Sequence, residues 1–311
     1  MIIASPLAHA GTPLSTLLRC PRAVRIPRPG PPAAPTICGM EPPSPPPSRG
    51  PDRDRPRPLP AAEDPRAPGH PAAAAAATRS LAELDGIVTH CRACPRLVAW
   101  REEAARTKRR AYLADEYWAR PIPGFGPADA ALVIVGLAPA AHGANRTGRI
   151  FTGDPSGDLL YAALHELGLA SQPHATWRDD GMELFGVRIT DPVRCCPPEN
   201  RPTRDERDTC RPWIAREFAY LRPTVRAVVA LGGFAWEAVL PALAASGRTV
   251  PRPRPAFGHG ARATLPAVDG GPPLELFGCY HVSPRNTYTG RLTPAMLRDL
   301  LAAGAGTAGL L

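Results

Sequence analysis

Cysteines at two places in this chain have a spacing typical of metal ligands. Cys91 and Cys94 form a C-x-x-C pair, which places two thiolates on one side of a turn. Far along the chain, the segment 195–210 (CCPPENRPTRDERDTC) begins with adjacent cysteines and ends with Cys210. Four thiolates suit a zinc ion or a [4Fe–4S] cluster, and the absence of any metal is a third alternative. Spacing alone does not choose between Cys195 and Cys196.

Three further segments combine Gly, Pro, Asn, His and Arg in a way that indicates ligand binding. Glycine-rich loops at strand ends let backbone amides approach a ligand closely. The first segment lacks both the G-K-[ST] of a P-loop and a G-x-G-x-x-G fingerprint, which excludes nucleotide triphosphates and NAD. The segments are 136–157 (GLAPAAHGANRTGRIFTGDPSG), 194–203 (RCCPPENRPT) and 281–290 (HVSPRNTYTG).

Apolar runs typical of buried strands precede these segments and alternate with helical patterns. The alternation predicts an α/β fold, a single domain with a four-stranded, mainly parallel sheet flanked by helices. Ligands of such sheets bind beyond the carboxyl ends of the strands. The Gly/Pro-rich segment 246–273 is predicted to be a connection. Strands are expected at 131–135, 187–193, 226–231 and 274–280.

Proline divides the chain into regions. Of the 42 prolines, 20 lie in residues 1–80, which have few large apolar side chains to offset the entropy of ordering. We therefore expect a disordered Pro/Ala/Arg-rich tail over 1–79, a catalytic domain over 80–304 and a flexible C-terminus over 305–311.

Charge and targeting signals limit the classes of protein. The net charge of +9 is compatible with DNA binding but does not establish it. No apolar run approaches the roughly 18–20 residues that span a bilayer, and the start lacks the basic region of a secretory signal. We therefore expect a cytoplasmic protein without a membrane partner, in which cysteines bind metal rather than form disulfides.

At these residues the chain resembles the uracil-DNA glycosylases, most closely family 5 of that superfamily. The resemblance covers about residues 81–303. Long motifs occur in the same order and at the same strand ends. They are the C-x-x-C pair, GLAPAAHGANRTGR-x-FTGD at 136–154, VRC-x-PP-x-N at 193–200, Cys210, and HVSPRNT-x-TG at 281–290.

The resemblance implies a monofunctional enzyme of base excision repair. Such an enzyme flips uracil, and other deaminated or damaged bases, out of double-stranded DNA and hydrolyses the N-glycosidic bond to leave an abasic site. It implies a nucleoid-associated monomer. The usual water-activating aspartate is replaced by Ala138. A non-catalytic iron–sulfur protein that recognises lesions is therefore an alternative, and a zinc-stabilised structural domain is another.

The resemblance also implies a [4Fe–4S] cluster and its ligands. The matching positions are Cys91, Cys94, Cys195 and Cys210, and Cys196 falls at a position that is not a ligand. The cluster is expected to hold a DNA-contacting loop, since hydrolysis needs no redox step.

The resemblance implies catalytic roles for three residues. His281 is expected to hydrogen-bond the base O2 as negative charge develops there. Asp154 is expected to substitute for the missing carboxylate, with a helix N-cap as the alternative. Asn200 is expected to be a polar residue of the site, with a turn asparagine as the alternative.

Base binding is implied for a second group of residues. Phe151 is expected to stack on the flipped base, with a core phenylalanine as the alternative. Gly136 and Ala138 are expected to line the base pocket. Asp191 lies where some relatives use asparagine to read the pyrimidine edge, and an ionised aspartate could not donate a hydrogen bond to O4.

DNA contacts are implied at the last motif and at several arginines. The 283–286 segment resembles the loop that enters the minor groove and fills the gap left by the flipped nucleotide. Three arginines are candidates for phosphate contacts, with solvated surface arginines as the alternative. The residues concerned are Ser283, Pro284, Arg285, Asn286, Arg146, Arg149 and Arg291.

Overall fold

A five-stranded, mostly parallel β-sheet lies at the centre of residues 64–311, the part of the chain that the computed structural model describes. Predictions for residues 1–63 lie outside the described residues. The strand order is β2-β1-β3-β5-β4, and only β4 is antiparallel to its neighbour. The strands are β1 (Leu132–Val135), β2 (Val187–Thr190), β3 (Ala227–Leu231), β4 (Arg262–Leu265) and β5 (Leu274–Cys279).

The predicted α/β class is confirmed, and the predicted number of strands is wrong by one. β4 lies inside the 246–273 segment that the sequence indicated as a connection. Ala263 and Leu265 are buried, whereas Arg262 and Thr264 are exposed, as in a strand at the edge of a sheet. Four residues between proline- and glycine-rich stretches give too short an alternation to detect in a sequence.

Helices cover both faces of the sheet because alternate residues of each strand point to opposite sides. On one face Leu132 and Ile134 pack with α5 and α9, and on the other Val133 and Val135 pack with α2, α6 and α7. Among the described helices, none is both long and apolar enough to cross a membrane. The helices are α1 (His70–Ala77), α2 (Leu81–Val88), α3 (Pro95–Thr107), α4 (Ala144–Thr147), α5 (Pro155–Glu166), α6 (Arg204–Leu221), α7 (Gly233–Ala245), α8 (Pro284–Tyr288) and α9 (Pro294–Thr307).

The prediction of a disordered tail is wrong for residues 70–77, which form α1. Ala74 and Ala75 are buried against the core of α2, α6 and α7. Just after α1, the Thr78 carbonyl accepts hydrogen bonds from Tyr220 Oη and Arg216 Nη2, both at 2.6 Å. Alanine is the best helix former, and its small side chain allows close packing. A run that looks like low complexity is here part of the fold.

The C-terminal prediction also differs from the structure. α9 extends to Thr307, Ala305 is fully buried, and Leu310 packs against the core. Small and apolar residues at 304–311 gave no helical pattern beyond that of α9, so the sequence indicated a flexible end.

Candidate active site

The carboxyl ends of β1, β2 and β5 bring Gly136, Asp191 and His281 to one end of the sheet. A Cβ atom at position 136 would lie 2.3 Å from Asp191 Oδ1 and 2.7 Å from two ring atoms of Phe151. The ring centroids of Phe151 and His281 are 6.3 Å apart. Only a glycine at 136 allows the carboxyl group and the aromatic ring to approach the backbone this closely.

The position of Phe151 is fixed by its backbone conformation and by the helix that packs on it. It is buried and has a φ of 50°, in the left-handed region that a bulky residue rarely adopts. A Cβ atom at Gly157 would lie 1.7 Å from the Phe151 carbonyl oxygen, so the first turn of α5 packs directly on this residue. The ring is therefore fixed beside His281, and its stacking on a base stays a prediction.

Asp154 is the N-cap of α5, which confirms the capping alternative. Its Oδ1 accepts hydrogen bonds from the amides of Ser156 at 2.9 Å and Gly157 at 3.1 Å. Its Oδ2 lies 2.2 Å from the place that a Cβ atom would take at Gly143. Burial raises the pKa of this carboxyl group, and the two backbone hydrogen bonds oppose that effect. One oxygen thus caps the helix while the other faces the 136–157 loop.

His281 is a neutral imidazole at neutral pH, because burial lowers its pKa to about 4. A Cβ atom at Gly232 would lie 3.3 Å from His281 Cβ, so the start of α7 limits its position. The His281 carbonyl accepts a hydrogen bond of 2.8 Å from Asn286 Nδ2. Asn286, predicted in the DNA loop, therefore also fixes the backbone that carries the histidine.

Asp191 is a buried carboxyl group with an unpaired oxygen. Its Oδ1 makes no hydrogen bond within the described part of the chain. Burial raises its pKa to about 8, the Arg194 guanidinium opposes this rise, and the Asp154 and Glu217 carboxylates add to it. Burial thus favours the neutral acid, which can donate a hydrogen bond, and the role of Asp191 in base binding stays a prediction.

The other two predicted site residues lie in the segments after β1 and β2. Ala138 is half-buried in the loop after β1. Asn200 is exposed and has a φ of 54°, as turn asparagines do. Their roles in base binding and catalysis stay predictions.

The predicted DNA loop is a short exposed structure next to His281. Ser283 is the N-cap of α8, Ser283 and Pro284 are half-buried, and Arg285 is exposed. Arg291 is also exposed, with its guanidinium carbon 4.4 Å from the Tyr280 ring centroid. Tyr288, which the sequence analysis did not single out, is 81% exposed. Its sequence signal was an aromatic residue within an otherwise polar loop, which is typical of a side chain exposed for binding.

Arg146 and Arg149 are buried, which contradicts both alternatives predicted for them. Arg146 donates to Asp115 Oδ2 at 2.7 Å and to the His142 carbonyl at 2.9 Å. Arg149 donates to Asp180 Oδ2 at 2.6 Å and to Thr152 Oγ1 at 3.0 Å. These guanidinium groups hold the 136–157 loop from inside, so they are not free to bind phosphate.

One cavity is lined by four cysteines, and Cys196 is not part of its wall. The four are Cys91, Cys94, Cys195 and Cys210. Arg101 Nη1 lies 3.0 Å from Cys195 Sγ, and the Arg194 amide lies 3.4 Å from Cys210 Sγ. Both groups donate towards sulfur, as expected around a negatively charged thiolate site. No disulfide forms among the cysteines of residues 64–311.

The donor set of this cavity fits an iron–sulfur cluster. The walls contain four cysteines and neither a carboxylate nor an imidazole, so all ligands are soft. Burial raises the pKa of Cys94 to about 12 and of Cys195 to about 11, so the thiolates need a bound cation to form. Within residues 64–311, no three His, Cys, Asp or Glu side chains converge on a point for one metal ion.

Comparison with known proteins gives the family. The model of the uracil DNA glycosylase superfamily matches residues 123–303, which include every strand and the three strand-end loops. The chain belongs to the uracil-DNA glycosylase superfamily. The type-5 uracil-DNA glycosylase of Mycobacterium tuberculosis is 52% identical over 231 residues, 74% of this chain and 83% of the relative. That of Thermus thermophilus is 49% identical over 223 residues, 72% and 96%. A type-4 enzyme of Archaeoglobus fulgidus is 36% identical over 115 residues, 37% and 49%.

One buried ionic network of this superfamily member was missed by the sequence analysis. Glu217 of α6 accepts from Arg188 Nε at 2.5 Å and Thr190 Oγ1 at 2.6 Å, and also from Arg194. Although burial opposes ionisation, the two guanidinium groups hold the pKa of Glu217 at about 2. The network joins the end of β2 to the helix that carries Cys210. The sequence signal for this network was a glutamate on the apolar face of α6, where a charged residue needs a buried partner.

Proposed function

We propose that this protein is a type-5 uracil-DNA glycosylase that acts in base excision repair. It extrudes uracil from double-stranded DNA and hydrolyses the N-glycosidic bond, leaving an abasic site. The observation that carries this function is the family match over residues 123–303, whose strand-end loops hold the clustered Gly136, Phe151, Asp191 and His281. We extend the proposal to other deaminated bases that fit the same pocket.

His281 stabilises the departing base. Breaking the bond leaves negative charge on the pyrimidine, and a neutral imidazole can donate its N–H to O2 as that charge develops. The low pKa of His281, caused by burial, keeps the imidazole neutral throughout the physiological range. Phe151, beside His281, offers its ring face for stacking on the flipped base.

Asp154 acts on the sugar side of the bond. Ala138 has no carboxylate, and Asp154 Oδ2 faces the same loop without taking part in the cap. This oxygen is available to stabilise the cationic sugar or to orient the attacking water. Asn200, exposed on the turn after β2, is proposed as a second polar group for the bound nucleotide.

Double-stranded DNA containing the damaged base is the proposed partner. The 283–286 loop is proposed to enter the minor groove, and the exposed Arg285 and Arg291 to contact phosphates. One chain carries all residues of the site, which supports action as a monomer. We place this action in the cytoplasm, at the nucleoid, where chromosomal DNA lies.

The four cavity cysteines are proposed to hold a [4Fe–4S] cluster. When bound, the cluster supplies a rigid cross-link between two distant segments of the chain. Cys91 and Cys94 precede α3, Cys195 follows β2, and Cys210 lies on α6, so the ligands fix the loop that contains Asn200.

A duplex with one U·G pair tests the function. After incubation with enzyme, alkaline cleavage of the abasic site is expected to give one product band. Duplexes carrying other damaged bases, measured in parallel, give the substrate range. No product above the control at stoichiometric enzyme contradicts the proposal.

The adjacent cysteines 195 and 196 provide a matched test of the cluster. In anaerobically purified protein we expect an absorbance band near about 400 nm and about four irons and four sulfides per chain. Cys195→Ser should lose the band, and Cys196→Ser should keep it, since only Cys195 lines the cavity. Zinc without sulfide in the wild-type protein contradicts the proposal.

A further inference from the structure

The unpaired carboxyl oxygen of Asp191 lies among the residues proposed to hold the flipped base. The side chain is 2% exposed, and Oδ1 has no hydrogen-bond partner within residues 64–311. It lies over Gly136, beside the edge of the Phe151 ring. A buried polar atom without a partner is unfavourable, so its presence inside a site indicates a ligand that completes its hydrogen bonding.

We propose that Asp191 reads the flipped base as a neutral carboxylic acid, an inference that rests on the proposed function. Its O–H donates to the C4 carbonyl of uracil, and its C=O accepts from N3–H. A carboxylic acid and a lactam edge thus form two hydrogen bonds side by side. An ionised carboxylate has only acceptors, so it would repel the base carbonyl.

The groups around Asp191 support this protonation state. Burial raises its pKa to about 8, the guanidinium of Arg194 lowers it, and Asp154 and Glu217 raise it further. Glu217 is ionised and paired with Arg188, which lies in β2, and with Arg194, which follows β2. His281, from the end of β5, is neutral in this range and adds no charge. The acid therefore stays protonated at neutral pH and ionises under mildly alkaline conditions.

Asp191→Asn provides the test, because an amide keeps a donor and an acceptor but does not titrate. Single-turnover release of uracil is measured between about pH 6 and about pH 9, and each protein is normalised to its own rate at neutral pH. The wild-type rate should fall about tenfold per pH unit above about pH 8. The Asp191→Asn profile should stay flat. Both proteins meet the same substrate, so ionisation of uracil itself cancels in the comparison.

Asp299→Asn is the control for removing a carboxyl group. Asp299 lies on α9 with its side chain 72% exposed, and its only close partner among the ion pairs of the described residues is the neighbouring Arg298. This variant should keep the wild-type alkaline fall.

Infrared difference spectroscopy reads the protonation state without depending on activity. The wild-type minus Asp191→Asn spectrum should contain the C=O band of a protonated carboxyl group at about pH 6 and lose it by about pH 9. Absence of that band at about pH 6, or an alkaline fall shared by Asp191→Asn, overturns the inference while uracil release stands. Absence of uracil release by the wild-type protein at every pH overturns the proposed function, and with it the reading of the base.

Discussion

At the scale of single residues, the site depends on side chains that face two ways. Asp154 caps α5 with one oxygen and faces the 136–157 loop with the other. Asn286 belongs to the proposed DNA loop and also holds the backbone of His281. A substitution at such a residue changes both stability and activity, so each test needs a variant that removes one role and keeps the other.

Asp154→Ser separates capping from chemistry. Serine caps helices as well as aspartate does, so stability should stay within about 0.5 kcal/mol of wild type, whereas Asp154→Ala should lose about 1 kcal/mol. Both variants lack the second oxygen and should cleave uracil about 100-fold more slowly in a single turnover. Urea unfolding and rapid-quench kinetics measure the two effects. A wild-type rate for Asp154→Ser would show that the residue only caps.

His281 should make folding dependent on pH in the acid range. Its folded pKa of about 4 lies below its usual value, so the unfolded chain binds a proton first as pH falls. The free energy of unfolding should therefore rise with pH between about 4 and about 6.5, and His281→Gln should reduce that slope. Urea unfolding at several pH values measures it. His165→Gln, on the exposed side of α5, is the control, and an equal change in slope for both variants would refute the assignment.

At the scale of elements, the 136–157 loop has glycines where site carboxyl groups approach its backbone and buried arginines where it is held to the rest of the domain. Gly136 and Gly143 leave room for the carboxyl groups of Asp191 and Asp154. Arg146 and Arg149 bond the loop to the 115 and 180 regions. The sequence motif contains both the glycines and the arginines. Only the structure shows that the glycines lie next to the site and that the arginines hold the loop in place.

Gly143→Ala should damage both the fold and the activity. The backbone of Gly143, with φ −96° and ψ −109°, lies outside the regions that alanine prefers, and the added Cβ atom would lie 2.2 Å from Asp154 Oδ2 and displace that oxygen. We expect uracil release to fall at least about tenfold, since small misplacements of reacting groups are costly. Gly306→Ala in α9 is the control, because nothing lies within 4 Å of its Cβ position. Unchanged release by Gly143→Ala would refute this placement of Asp154.

Two arginines predicted to bind phosphate should now behave differently. Arg149→Gln removes a buried guanidinium and leaves the half-buried Asp180 carboxylate without its charged partner, which should destabilise the protein by about 3 kcal/mol. Arg291→Gln should leave the melting temperature unchanged and reduce the salt dependence of DNA affinity by about one unit of slope. Thermal unfolding and fluorescence anisotropy at several salt concentrations measure both. A normal melting temperature for Arg149→Gln would contradict its structural role.

At the scale of the whole molecule, distant segments meet around α6. This helix carries Cys210, contacts α1 and α7, and places Glu217 under the end of β2. The thiol cavity, the base site and the N-terminal helix are therefore linked through one element. The same helix links the cysteine loop to the residue proposed to read the base.

A pair of truncated chains tests whether α1 belongs to the fold. Compared with a chain that begins at residue 64, a chain that begins at residue 79 lacks the buried Ala74 and Ala75 and the hydrogen bonds to Thr78. Its melting temperature should be lower by at least about 4 °C. Differential scanning calorimetry measures the difference. Equal melting temperatures would show that α1 does not stabilise the domain.

Local signals in the sequence determined the α/β class, the four parallel strands and the motifs that carry the family. An apolar run before a glycine-rich loop is readable without knowing what lies nearby, and so is the Thr203–Glu206 capping box that starts α6. These features place Gly136, Asp191 and His281 at strand ends, and the structure brings the three together.

Tertiary structure decided what depends on burial. Pairing with β5 stabilises β4 as a strand, and packing against α6 stabilises α1 as a helix. Arg146 and Arg149 look like DNA contacts until carboxylates far along the chain enclose them. Burial raises the pKa of Asp191 from its usual value in water to about 8. Solvation and long-range charge set these properties, and neither is encoded in the residues next to them along the chain.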